Sequence, residues 1–235
     1  MPKKILLFDI DGTLLHTGGA GQISIENAFE DLFHVREVWG SLSPDGKTDP
    51  LIFEEIALRV LARKLTEQEM NKLHDRYIEY FQDHIEDSPR FRLMPGIPSL
   101  LEYLVRIENL ILGIQTGNFE KAAWLKLKRG KLNHFFKVGG FGSDAKDRKM
   151  LVERAAERAM ALLDEPVSQR QIFVIGDAPQ DIQAANAHGF RSIAVMTGKT
   201  PMRELEKHRP EFLIKDLSDQ AQFLELIEES KPDAG

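Results

Sequence analysis

The sequence predicts a three-layer α/β fold, a mostly parallel sheet with helices on both faces, interrupted after its first strand by an inserted all-α module. Three observations lead there. The runs Ile5–Asp9, Leu110–Gln115, Ile172–Ile175 and Ser192–Met196 are apolar throughout rather than at every second residue, as strands buried on both faces are. Helical spacing lies between them, as in Leu151, Ala155, Arg158, Ala159 and Leu162, and such alternation implies a parallel sheet covered on both sides. Between about Ile23 and Ile85 the strand signal disappears. Three helical patterns follow one another there: Ile23–Phe33, Leu51–Ala62 and Glu67–Ile85.

The first strand ends in Phe8-Asp9-Ile10-Asp11-Gly12-Thr13. Carboxylates two residues apart point the same way from an extended strand, here at its C-terminal end, where open α/β sheets bind ligands. Two such anions repel, and desolvation adds to the cost, so a cation must compensate. Mg²⁺, which favours carboxylate and phosphate oxygens, suits that place. Gly12 permits a tight turn; a solvated Asx-type turn is the plainer alternative. Thr17-Gly18-Gly19-Ala20-Gly21 then leads out of the sheet, and Leu93-Met94-Pro95-Gly96 leads back before a helix over Ile97–Arg106. Residues 1–17 and 93–235 are thus expected to form the core, and 18–92 the inserted module.

Within the insertion, Asp45-Gly46-Lys47-Thr48-Asp49 opens a helix. It reads as a capped turn with Thr48 or Asp49 as N-cap, or as a loop whose Lys47 reaches a substrate when the module closes. The second long strand runs into Thr116-Gly117-Asn118 and a helix over Phe119–Leu127. A hydroxyl with free N–H groups at a helix start makes an anion site, or an ordinary N-cap. The basic run Lys121, Lys126, Lys128, Arg129 and Lys131 around Trp124 reads as a solvated helix face with one packed aromatic. The third strand runs into Gly176-Asp177-Ala178-Pro179-Gln180-Asp181; Pro179 suits the first turn of a helix that Gly189 closes. Asp177 is left at the strand end, while Asp181 sits near the helix start, where a carboxylate also suits the dipole. His16 reads as a solvated hinge residue, and the tail Ser230–Gly235 is expected to fray.

Composition narrows the function. With 31 Lys+Arg against 37 Asp+Glu, the chain is not suited to holding nucleic acid by general phosphate neutralisation, although a small anion needs only a few local cations. The absence of cysteine removes disulfides, thiol catalysis and cysteine metal sites. No signal peptide or membrane span can be built from Ile5–Phe8, so a soluble, cytoplasmic protein is expected, its oligomeric state open.

In order and spacing, Asp9-Ile10-Asp11-Gly12-Thr13-Leu14, Thr116 after an apolar strand, and Gly176-Asp177 with Asp181 resemble the motifs of the haloacid dehalogenase-like hydrolase superfamily, and the insertion resembles the cap of its phosphoglycolate phosphatase-like branch. The resemblance implies a Rossmann-like core and a phosphatase of small phosphorylated metabolites, phosphoglycolate-like anions foremost. Asp9 would attack phosphorus. Asp11 would protonate the leaving oxygen and then activate water. Asp9, the Asp11 carbonyl and Asp177 would hold Mg²⁺, with Asp181 orienting the set. Thr116, Gly117 and Asn118 would bind the phosphoryl oxygens, and Gly12 and Thr13 would shape the pocket. The family also uses a basic residue bridging nucleophile and phosphoryl group. Arg148 is favoured, with Lys146 as alternative and Lys149 third; the usual Lys-Pro motif is absent. A β-phosphoglucomutase-like phosphotransferase is the neighbouring alternative. A receiver-type signalling domain would be about half this length and without a cap, and a non-catalytic scaffold would be expected to lack Asp9 or Asp11.

Overall fold

The computed structural model describes residues 3–228, and the tail Ser230–Gly235 lies outside them. The chain begins with β1 (Lys4–Phe8) and the short β2 (Leu15–His16), then makes α1 (Ala20–Phe33), α2 (Asp49–Leu61) and α3 (Glu67–Glu86). It returns through β3 (Arg92–Leu93), α4 (Ile97–Leu104), β4 (Leu110–Gln115), α5 (Glu120–Arg129), β5 (Val138–Gly140) and α6 (Arg148–Met160). β6 (Ile172–Gly176), α7 (Pro179–Ala187), β7 (Arg191–Val195), α8 (Met202–Lys207), β8 (Phe212–Ile214) and α9 (Gln220–Glu228) complete it.

Six strands pair in the order β5-β4-β1-β6-β7-β8, every pairing parallel. From β1 the chain moves outward through β4 and β5, then crosses back to β6 on the other side. This reversal makes a crevice beside β1, the place where such sheets bind ligands. Phe8 is level with Ile114 of β4 and Ile175 of β6, so Asp9, Thr116 and Asp177 leave neighbouring strand ends close together. Alternation sorts the side chains of β1. Leu6 and Phe8 pack with Leu100, Leu127 and Phe223 of α4, α5 and α9, whereas Ile5 and Leu7 pack with Leu151, Ala155 and Ala184 of α6 and α7. These are the two faces of a three-layer core.

The insertion is an all-α cap. Phe29, Phe53, Tyr77 and Phe81 give α1–α3 an apolar centre of their own, with Phe53 edge-on to both Phe29 and Tyr77. Phe119 and Ala122, at the start of α5, join that cluster, so cap and core share a seam. The stem is an antiparallel pair, Leu15 opposite Leu93 and His16 opposite Arg92. α1 begins at Ala20, before the apolar spacing at Ile23, because Gly18 and Gly19 at φ 69° and 100° turn the chain directly into it. The sequence reading also passes over β5 and β8. β5 is Val-Gly-Gly and β8 is three residues at the sheet edge, both too short for an apolar run to register. No helix among the described residues is long and apolar enough to cross a membrane.

Candidate active site

Asp9 leaves β1 at its carboxyl end and is 6% exposed, its backbone N–H donating to the Ile175 carbonyl at 2.9 Å. Period-two alternation carries it to the face shared with Ile5 and Leu7, against α6 and α7. The first residue of α6 is Arg148, with Asp147 as N-cap accepting from the Lys149 N–H. Arg148 Nη2 lies 2.7 Å from Asp9 Oδ1 and 2.6 Å from Asp181 Oδ1, and its Nε donates to Asp181 Oδ1 at 3.1 Å. A cation in a first helical turn opposes the dipole, and here two facing carboxylates offset that cost. Lys146, by contrast, extends to Glu54 of the cap, Nζ 2.5 Å from Oε1, and Lys149 is exposed. Of the three basic candidates, the structure brings Arg148 to Asp9.

Asp9, Asp177 and Asp181 each offer an oxygen within 4.8 Å of the others, a set that could hold a metal ion. Asp181 is already committed: Oδ1 also accepts from Gln115 Nε2 at 3.0 Å, and Oδ2 accepts from the Ala178 N–H at 3.1 Å. It therefore fixes Arg148 and the turn before α7, leaving Asp9 and Asp177 as the freer oxygens. Asp177 accepts from the Thr13 hydroxyl at 3.0 Å. Burial holds both carboxyls well above the usual carboxylate range; Asp181 and Asp11 add to the effect at Asp9, against Arg148, and Asp9 and Asp181 add to it at Asp177. Three close carboxylates facing one guanidinium lack positive charge, which is the chemistry of a divalent-cation site. Gly12, at φ 86°, closes the turn beneath it, since a methyl there would fall on the Asp177 carboxylate.

At the end of β4, the buried Thr116 hydroxyl donates to Asn118 Oδ1 at 3.1 Å. Among the described residues the Gly117 amide donates to no backbone carbonyl, so it remains available to an anion. The next amides are taken: Asn118 N–H donates to the Thr116 hydroxyl oxygen at 3.4 Å, Phe119 N–H to Asp49 Oδ2 at 2.8 Å and Glu120 N–H to the Ser143 hydroxyl at 2.9 Å. Asp49 belongs to the cap, and its own N–H donates to the Gly117 carbonyl at 2.7 Å. The loop before α2 is thus docked on the core, so closely that a methyl at Gly117 would strike the Lys47 carbonyl oxygen. Thr48 is the N-cap of α2, and its hydroxyl reaches across to the Lys146 carbonyl at 3.2 Å. Asp49 instead crosses to α5, and burial pushes its carboxyl up to about 6, against Lys126 and the Phe119 N–H. The Lys47 backbone lies against Gly117, but its side chain is engaged within the cap, Nζ 2.5 Å from Glu55 along α2.

The solvated-face reading of the basic run fails at Lys126. This residue is 4% exposed, and its ammonium donates to Asp11 Oδ2 and, at 2.9 Å, to Asn118 Oδ1, with the Phe81 ring of the cap 5.8 Å away. The spacing did not show it because the seam where the cap covers α5 exists only in three dimensions. One signal was present: Lys126 falls four residues after Ala122 and three after Ala123, on the buried stripe of the helix. Gln115, which no motif marks, is fully buried beside Asp181, with Oε1 unpartnered.

A family model described as haloacid dehalogenase-like hydrolase matches residues 6–195. The chain is 25% identical over 223 residues to the pyrophosphatase PpaX of Bacillus cereus, covering 93% of this chain and 95% of that one. It is 26% identical over 219 residues to the phosphoglycolate phosphatase of Pseudomonas syringae pv. tomato, covering 91% and 77%. The crystal structure of β-phosphoglucomutase from Clostridium difficile superposes with a TM-score of 0.72 at 16% identity, covering 97% of each chain, a likeness of fold.

Proposed function

Because the chain belongs to the haloacid dehalogenase-like hydrolase family, we propose that it is a Mg²⁺-dependent phosphatase of small phosphorylated metabolites that works through an aspartyl-phosphate. The observation that carries this reading is the buried Asp9 joined by Arg148 to Asp181, with Asp177 alongside. Asp9 attacks phosphorus as the bond to the leaving oxygen breaks, and Asp11 gives that oxygen its proton. Water then attacks the same phosphorus and yields its proton to Asp11, while the bond to Asp9 breaks and phosphate departs. Arg148 neutralises Asp9 and the phosphoryl oxygens together; the Gly117 amide holds those oxygens, joined by the Thr116 hydroxyl once it turns from Asn118 Oδ1. Asp9, Asp177 and the Asp11 carbonyl are the groups to hold Mg²⁺, which when bound supplies charge neutralisation and polarises the phosphoryl oxygens.

The named relatives point to the substrate class. Phosphoglycolate and pyrophosphate are both small and both carry a second anionic group beside the reacting phosphoryl. A phosphoglycolate-like metabolite remains the favoured substrate, but Lys47 would have to leave Glu55 to hold its second anion.

Phosphate release should be measured with phosphoglycolate, pyrophosphate, sugar phosphates and nucleotides, with and without Mg²⁺. One of the two small substrates with a second anionic group should turn over fastest, only with Mg²⁺, and Asp9→Asn should abolish that turnover while unfolding as cooperatively as the parent. Steady release by Asp9→Asn at near the parent rate would overturn the nucleophile and with it this reading.

A further inference from the structure

Lys126 buries a charge at the seam between core and cap, and nothing in the proposed chemistry yet uses it. A buried ammonium costs free energy unless anions and acceptors surround it. Here Asp11 Oδ2 and Asn118 Oδ1 accept from it, and the aromatic face of Phe81 covers it. Asp49 is close enough to feel its charge, and Asn118 Nδ2 donates on to Asp49 Oδ1 at 3.4 Å. Asn118 Oδ1 accepts from Thr116 as well. One hydrogen-bonded chain therefore joins the motif after β4, the motif after β1 and the first residue of α2 in the cap.

Asp11 is the exposed member. Its side chain is 40% exposed, against 9% for that of Asp9, and it stands outside the cluster of Asp9, Asp177 and Asp181. Among the described residues, Lys126 is the one side chain that hydrogen-bonds to it. A carboxyl so exposed would otherwise sample several rotamers, and proton transfer needs it within hydrogen-bond reach of the leaving oxygen.

We propose that Lys126 is a positioning residue for Asp11: its ammonium, anchored on Asn118 and covered by the closed cap, sets the direction in which the Asp11 carboxyl faces the leaving group and the incoming water. The inference rests on the reading of Asp11 as the acid and base of the reaction. It also gives cap closure a consequence, because Phe81 and Asp49 complete the surroundings of Lys126 only when the cap is seated.

Misplacing the proton donor should hurt poor leaving groups more than good ones. Single-turnover rates should be measured for Lys126→Met and Asp11→Asn on a series of aryl phosphates, from 4-nitrophenyl to phenyl, and on an alkyl phosphate. Lys126→Met should lose about tenfold more on the alkyl and phenyl esters than on the nitrophenyl ester, a fraction of the 10²–10⁴-fold that general acid catalysis typically contributes. Lys126→Arg, which keeps the charge, should recover part of that selective loss, and it carries the same comparison if the methionine variant fails to fold. An equal loss across the series, or none, in the folded variants overturns the role of Lys126 provided Asp11→Asn shows the steep dependence. If Asp11→Asn is itself as flat as the parent, the acid role of Asp11 falls, and the inference falls with it.

Discussion

At Arg148, a single guanidinium satisfies two carboxylates on two strand-end motifs, from a helix position where the dipole alone would disfavour it. Removing it leaves Asp9 and Asp181 buried with no cation between them, and it removes charge from the place where the phosphoryl oxygens would sit. Arg148→Ala should therefore lower turnover on the order of 10²-fold or more, as loss of an electrostatic transition-state contact does. Lys146→Ala removes an exposed pair with Glu54 and should change turnover little. Steady-state kinetics on both variants checks this, and a crippled Lys146→Ala beside an active Arg148→Ala would reverse it. The carboxylates were legible at this scale because an apolar strand ending in acid is costly without a purpose. The choice of Arg148 over Lys146 and Lys149 came from the resemblance alone, because each has a residue-level excuse for being solvated, and the structure brings Arg148 to Asp9.

At the scale of elements, the start of α2 meets the start of α5. Asp49, the first residue of α2, accepts from the Phe119 N–H, so a cap carboxylate occupies one of the amide donors at a core helix terminus. Its folded value of about 6 exceeds the ordinary 3.8, chiefly through burial. The folded state thus binds a proton that the unfolded chain has released, and protonation favours folding. The gain is complete below the unfolded value and is lost as pH rises through about 6. Asp49→Asn keeps an acceptor for the amide and removes the titration. Relative to the parent, the variant should gain about 2 kcal/mol of stability between about pH 4.5 and pH 7, from the pK shift. Urea unfolding of both proteins at the two pH values measures the difference; parallel changes would contradict the account. The sequence showed α2 and the Gly-Lys-Thr-Asp loop ahead of it, but not this contact, whose partners lie about seventy residues apart.

For the whole molecule, the cap is held by its apolar seam with Phe119 and Ala122, by the backbone contacts of Asp49, and by three peripheral ion pairs. Asp45 lies 3.1 Å from Lys199, Glu86 lies 3.8 Å from Arg129, and Glu54 pairs with Lys146. Such exposed pairs are worth about 0–1 kcal/mol each, so the seam and the backbone contacts decide whether the cap stays closed. Replacing residues 18–92 with a short linker, together with Phe119→Ser to avoid exposing an apolar ring, should spare hydrolysis of 4-nitrophenyl phosphate more than that of the preferred metabolite. Comparing kcat/KM for the two substrates tests it. An equal fall would make the cap a structural support with no part in specificity.

Local pattern alone determined the layered α/β core, the helical insertion and the acidic strand ends, because burial imposes period-two or continuous apolar runs and makes stray carboxylates conspicuous. Tertiary structure decided what faces what. Arg148 rather than Lys146 meets Asp9 because α6 begins one residue after Asp147 and packs on the face that Asp9 shares with Leu7. Lys126 is buried because α3 of the cap folds back over α5 and lays Phe81 against its ammonium, while Asp11 reaches the same ammonium from the end of β1. The helical stripe through Ala122, Ala123 and Lys126 marks the residue as buried but not what buries it, since its partners come from segments far apart in the sequence.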